Sequence, residues 1–292
     1  MNDHAVLRGK AYVKGNGVTI STTAESNREW ALGGTQWTGK DTGWDVKSNS
    51  GQATVNGTAY ATLQEAVDAA GTDAVIKLGA GEYAEEITLV EGQNITLESA
   101  SGDPTKVVFS GRLYKKNLEN GKIVVKNVTI TGADATTEPS PSENYAVGTA
   151  IYDHYGKGAS YEIDGCIIDL EDGCKLFKSW HSESSLTVKN CKFVNSTVAP
   201  IQLNGVTTNV IENNEFLGIA EAAVVVSCEG GSLVFNNNTV ASTYGILVHK
   251  NWSTKNWNIT TDCGSNAYHN TGIDWSAITV NNPSAWTAID PE

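Results

Sequence analysis

Eight residues with useful chemistry crowd into two short stretches of this 292-residue chain. The first holds Tyr152, Asp153, His154 and Tyr155; the second holds Lys178, Trp180, His181 and Glu183. Asp153 and His181 carry groups suited to proton transfer, and Lys178 supplies a cation beside them. Aromatic faces next to carboxylates suit a bound sugar ring, so acid–base cleavage of a glycan is the reaction such a set would perform. As a catalytic centre the candidates are Asp153, Lys178 and His181. As a ligand- or partner-binding surface they are Tyr152, His154, Phe177, Trp180 and His181. A stacked Asp153–Lys178 ion pair and a ladder of outward aromatic rings account for the same residues without any chemistry.

The elements that must position them are legible as a repeat. The phrase Ile123-Val-Val-Lys-Asn-Val-Thr-Ile130 returns as Tyr161-Glu-Ile-Asp-Gly-Cys-Ile-Ile168 and as Leu186-Thr-Val-Lys-Asn-Cys-Lys-Phe193. Two more copies start at Val210 and Leu233. The turn residues Asn127, Gly165, Asn190, Asn213 and Asn237 are spaced by 38, 25, 23 and 24 residues. A short alternating strand ending in Asn or Gly, repeated in the twenties, is the pattern of a β-solenoid. Each coil exposes an apolar face that only its neighbours can bury. The fold class is therefore all-β, a single-stranded parallel β-helix with coils of about 22–25 residues. A second column, Ile151, Leu176, Ile201, Val224 and Ile246, marks another inward strand. Strand alternation then turns Tyr152, Phe177, Gln202, Val225 and Leu247 outward, where all but Gln202 could equally face a second copy of the chain. One position further on, Asp153 and Lys178 fall near the end of a column continued by Leu203, Val226 and Val248.

Composition narrows the partners. Twenty Lys and Arg against 33 Asp and Glu give a net charge of −13, which disfavours nucleic acid and anionic membrane. No apolar run reaches the length of a spanning helix, and the N-terminus carries no charged-then-apolar leader, so synthesis in a cytosol is expected. The five cysteines are odd in number; Cys166 and Cys191 hold the same place in consecutive repeats, read as stacked buried thiols rather than a disulfide. No metal site and no cofactor are expected, since no Cys-x-x-Cys, His-x-x-x-His or phosphate loop occurs.

Three segments stand outside the repeat. Residues 1–53 hold Trp30, Trp37 and Trp44 among glycines, read either as a lid on the first coil or as attachment to a larger assembly. Residues 54–281 form the β-helix, with a cap helix over 62–70. There Leu63, Ala66, Val67 and Ala70 share one helix face and Thr62 with Glu65 makes a capping box. The polar, Pro-rich stretch 133–144 reads as a loop leaving the wall, and 282–292 as a C-terminal tail.

From Tyr60 to Arg112 the chain resembles the pectin-esterase and pectate-lyase-like superfamily of right-handed parallel β-helices. The residues that carry this are Thr62-Leu-Gln-Glu-Ala-Val67, the turn Gly81-Glu-Tyr83 and the strand Asn94-Ile-Thr-Leu97. The resemblance implies that fold and raises carbohydrate chemistry. Yet the superfamily's Gln-Asp-Thr-Leu, Gly-Arg-Pro-Trp, Asn-Thr-Asp and Gly-His-Gly elements are absent, and Arg8, Arg28 and Arg112 lie outside the repeats. Two classes of function follow. The first is a non-enzymatic structural or binding β-helix on a larger assembly, foremost a phage virion surface component (head decoration, tail spike or fibre) attached to capsid or tail through residues 1–53. The second is a lyase, esterase or hydrolase of an acidic polysaccharide; a bacterial surface adhesin, secreted behind a removed leader, is a third reading.

Overall fold

The structure, a computed structural model, describes residues 52–135, 147–170, 173–248 and 260–268, with the short strands Leu32–Gly33 and Gln36–Trp37. The chain divides into two compact units, Met1–Ser50 and Gly51–Glu292. In the first, Leu32–Gly33 pairs antiparallel with Gln36–Trp37. Trp37 ends that second strand, while Trp30 and Trp44 lie outside the described residues, as do residues 136–144 of the expected loop and the tail 282–292.

The second unit is a parallel β-solenoid with three strands per coil. In the first sheet the inward register runs Ile76, Leu97, Val125, Ile163, Val188, Ile211 and Phe235. The second sheet stacks Tyr83, Phe109, Ile130, Ile168, Phe193, Phe216 and Val240. The third stacks Ile87, Leu113, Ile151, Phe177, Ile201, Val224 and Ile246. These columns form one continuous apolar core, and within it Phe193 lies on Phe216 with ring centroids 4.3 Å apart.

Corners of the coil are set by residues that accept a left-handed backbone. Asn127, Gly165, Asn190, Asn213 and Asn237, the turn markers of the repeat, have φ of 52°, 66°, 55°, 56° and 55°. Asn tolerates that region better than a branched or bulky residue does. Beside them the stacked position holds Cys166 and Cys191, whose buried thiols donate to the Val125 and Ile163 carbonyls, and all five cysteines are free. Burial pushes the Cys191 thiol well above its ordinary value. Further along, the same position becomes a ladder of buried amides. Asn214 Oδ1 accepts from Cys191 N at 2.9 Å, Asn238 Oδ1 from Asn214 N at 3.0 Å, and Asn266 Oδ1 from Asn238 N at 2.8 Å. Their Nδ2 groups donate to the carbonyls of Val188, Ile211 and Phe235, so every rung is satisfied.

The outer face of the first sheet carries a charged column, Lys77, Glu98, Lys126, Asp164, Lys189 and Glu212, with the sign alternating coil by coil. Lys77 Nζ reaches Glu98 at 2.9 Å and Lys189 reaches Glu162 at 2.9 Å.

At the N-terminal end, helix α1 (Leu63–Ala69) buries Leu63, Ala66 and Val67, and the Thr62–Glu65 capping box is formed. Two of its first amide groups, those of Leu63 and Gln64, donate to the Glu85 carboxylate at 2.9 and 3.1 Å. The helix stops on Ala70, which has an extended backbone. The hairpin Ala53–Val55 and Thr58–Tyr60 turns on Asn56-Gly57, and its first strand pairs antiparallel with Ala74–Leu78, closing the sheet edge.

Arg112, expected outside the repeats, begins a strand of the third sheet and its side chain is fully buried. Its guanidinium binds Glu86 at 3.1 Å and donates to the carbonyls of Ala135 and Thr149, on either side of residues 136–146.

Candidate functional site

The third sheet and the corner that follows it gather the chemistry-bearing residues. Thr149–His154 pairs in parallel with Lys175–Trp180, placing Tyr152 beside Lys178, Asp153 beside Ser179 and His154 beside Trp180. The outward column of this sheet is Tyr114, Tyr152, Lys178, Gln202 and Val225. Tyr114 stacks on Tyr152 at 5.8 Å and 13°, and His154 packs on Tyr152 at 5.5 Å.

Phe177 is not in that column. Its expected outward position is corrected by a bulge in which the amides of both Leu176 and Phe177 donate to the Pro200 carbonyl. Both side chains consequently enter the core, and Phe177 meets Tyr161 edge-on at 5.3 Å. The column of Ile151 passes through Phe177 rather than Leu176.

The expected Asp153–Lys178 pair is not formed either. Asp153 lies one residue past an outward position and points into the solenoid, at 0% exposure, whereas Lys178 belongs to the outer face. The register partner of Asp153 is Ser179, followed by Leu203 and Val226, so the acid does end a core column as expected. Its partners are hydroxyls: Tyr161 donates to Oδ1 at 3.1 Å and Ser182 donates to Oδ2. Ser184 Oγ flanks the carboxyl without a well-formed hydrogen bond, and Ser182 Oγ accepts from Ser184 N at 3.0 Å. Burial raises the Asp153 carboxyl above its ordinary range, with the Ser182, Ser184 and Tyr161 hydroxyls opposing the shift. Lys178 is shifted in the other direction, to about 8, first by burial and then by the neighbouring charge of Lys175.

The turn after this sheet is where the molecule departs from its own rule. Among the described residues the non-glycine positions with positive φ are Asn, Asp or Ser, except for two rings, Tyr155 at 57° and His181 at 48°. They occupy equivalent turns of adjacent coils: Asn117 N donates to His154 O at 2.8 Å and Tyr155 N to Trp180 O at 3.0 Å. His181 N donates instead to the Asn204 side chain at 2.8 Å. The Tyr155 and His181 rings stack at 5.6 Å and 7°, His154 stacks on Tyr155 at 4.4 Å, and Trp180 meets His181 edge-on at 5.2 Å. Tyr155 remains 42% exposed. A bulky residue in the left-handed region costs about 1–2 kcal/mol, a strain that falls on Tyr155 more than on His181, since His accepts that region more readily.

Thus Tyr152, His154, Trp180 and His181 are brought together, but Tyr152, at 1% exposure, and His154 are buried beneath the accessible rings, and Asp153 and Phe177 belong to the core. Sequence reasoning had Tyr155 in view but did not place it in the binding set; the available signal was an aromatic where the turn column elsewhere has Asn117. Among the described residues no cluster of three metal-ligating side chains occurs.

The fold and this corner define a β-helix. A family model described as right handed beta helix region matches residues 117–263, half of the chain, and the chain belongs to that family. No curated protein and no solved structure matches it.

Proposed function

We propose that the protein is a non-catalytic binding β-helix that presents the Tyr155, Trp180 and His181 rings, backed by the buried Tyr152 and His154, to a glycan or protein surface. The observation that supports this most is the stacked Tyr155–His181 pair, two rings accepting left-handed backbone and remaining at the surface. Rings in such an array offer broad apolar faces at low entropic cost, as binding anchors do. The candidate catalytic trio is dispersed: Asp153 faces the core, Lys178 the outer sheet and His181 the turn. That dispersal weighs against the glycan-cleaving reading.

The body that carries this surface is, in this reading, a larger assembly, a phage virion foremost, with residues 1–53 and Trp30, Trp37 and Trp44 as the attachment segment. A panel of neutral and acidic glycans screened for both binding and turnover tests the first part. Binding without turnover, weakened in Tyr155→Asn and Trp180→Ala, is expected; turnover abolished by His181→Ala would overturn it in favour of an enzyme. Co-sedimentation with capsids or tails, lost when residues 1–53 are deleted, tests the second part.

A further inference from the structure

The turn that carries the Tyr155 and His181 rings sits directly over a buried acid. Asp153 precedes Tyr155 by two residues, and Ser182, which donates to the Asp153 carboxyl, follows His181. Gly156 closes the space: a Cβ there would lie 2.1 Å from Asp153 Oδ1 and 2.6 Å from Ser184 Oγ. The acid therefore ties three pieces of two successive coils together, the turn after Thr149–His154, the start of Glu183–Lys189 and Tyr161 of Lys157–Asp164.

We propose that Asp153 is a proton-controlled latch for the aromatic corner: protonated, it stays buried under the turn and leaves the Tyr155–His181 stack closed over it; ionised, it gains water by opening that turn, which releases the stack and weakens binding there. The proposal rests on the binding role of the corner. A carboxylate taken fully out of water is costly unless a cation or enough donors compensate it. Here the partners are neutral hydroxyls, and one of the three is not well bonded. The titratable and charged neighbours do not supply a cation. From Lys157–Asp164 the facing group is Tyr161, whose phenol is itself pushed well up by burial and then by Asp153. From Arg112–Lys116, Lys115 shares the register of Asp153, but its Nζ lies 3.5 Å from Glu91. From Lys175–Trp180 the register partner is the neutral Ser179, and Lys178 belongs to the outer face. His154 takes the opposite face of its own strand; His181 and Glu183 are exposed.

The direction of the effect follows from burial. The folded carboxyl holds its proton to higher pH than the unfolded one, so its contribution to stability is whole below 3.8 and is lost as pH rises through the raised folded value.

Carboxyl-carbon NMR of Asp-labelled protein, recorded from pH 3 to 8 together with the His181 ring protons, tests the latch without any ligand. Expected are an Asp153 carboxyl titrating above 3.8 and a shift of the His181 resonance that follows that same midpoint, lost in Asp153→Asn. Ser182→Ala and Tyr161→Phe, each removing a donor, should move both midpoints upward together. An Asp153 carboxyl titrating at or below 3.8, or a His181 signal that does not follow the Asp153 midpoint, overturns the latch. Either result leaves the glycan-binding reading standing, whereas a negative glycan panel alongside a positive titration removes that reading alone.

Discussion

Two corners of the same coil follow opposite rules. At the corner between the first and second sheets, one position repeats Asn or Gly in a left-handed turn and the next repeats Cys or Asn, each bonded to the coil beyond it. At the corner between the third sheet and the next coil, Asn117 gives way to Tyr155 and His181, and the interior beneath them holds an acid instead of a hydrocarbon. Regularity in the first corner is what stacking requires, because identical residues one coil apart meet each other's hydrogen-bonding needs. Irregularity in the second costs stability and gives only surface rings in return. In a solenoid, the position that breaks the column is where a function can be housed without disturbing the rest.

The largest effect should come from breaking the regular corner. Asn238→Ala would leave the Asn214 amide and the Ile211 carbonyl buried without partners, at about 1–3 kcal/mol for each group. Thermal unfolding should fall by roughly 10 °C on that basis. Next is Gly156→Ala, whose added carbon collides with the Asp153 carboxyl at 2.1 Å. A loss of about 1–3 kcal/mol in urea unfolding is expected, with the Tyr155–His181 stack disturbed in near-ultraviolet circular dichroism.

Tyr155→Asn sharpens the contrast, since it installs at the irregular corner the residue type used at the regular one. Relief of the left-handed strain, about 1–2 kcal/mol, should match or exceed the lost ring contacts, so stability holds or rises while ligand binding drops about 3–10-fold by titration calorimetry. A clear loss of stability in that variant would show that the ring is there for packing. Smallest is Lys189→Ala: its half-buried surface contact with Glu162 at 2.9 Å should contribute under about 1 kcal/mol, within the error of most unfolding experiments.

The regular corner was legible in the sequence because it repeats. Asn127, Gly165, Asn190, Asn213 and Asn237 announce the turn, Cys166 and Cys191 announce a buried stack, and Thr62 with Glu65 announces the cap helix. The candidate site was legible as a neighbourhood but not in its orientation. Spacing alone favoured Leu176 over Phe177 as the partner of Ile151, and the bulge on Pro200 that brings both inward leaves no mark in a hydrophobic pattern. The same error of parity paired Asp153 with Lys178, because a one-residue slip exchanges the two faces of a strand. The hydroxyls around Asp153 were invisible for a different reason: Ser182 and Tyr161 are 29 and 8 residues away and meet it only through the winding of the coil.

The alternating charges on the first sheet bear on how the rod avoids being built wrongly. Apolar columns of Ile, Leu and Val hardly distinguish one coil from the next, so a chain that left out a coil while winding would still bury a respectable core. On the outer face the same mistake would set two like charges together wherever it fell: Lys77 against Lys126, Glu98 against Asp164, Lys126 against Lys189 or Asp164 against Glu212. Such a juxtaposition of like charges is unfavourable by roughly 0.2–1 kcal/mol, and each omitted coil adds one. A row of ordinary surface lysines and acids, individually weak, thus acts as a count of coils.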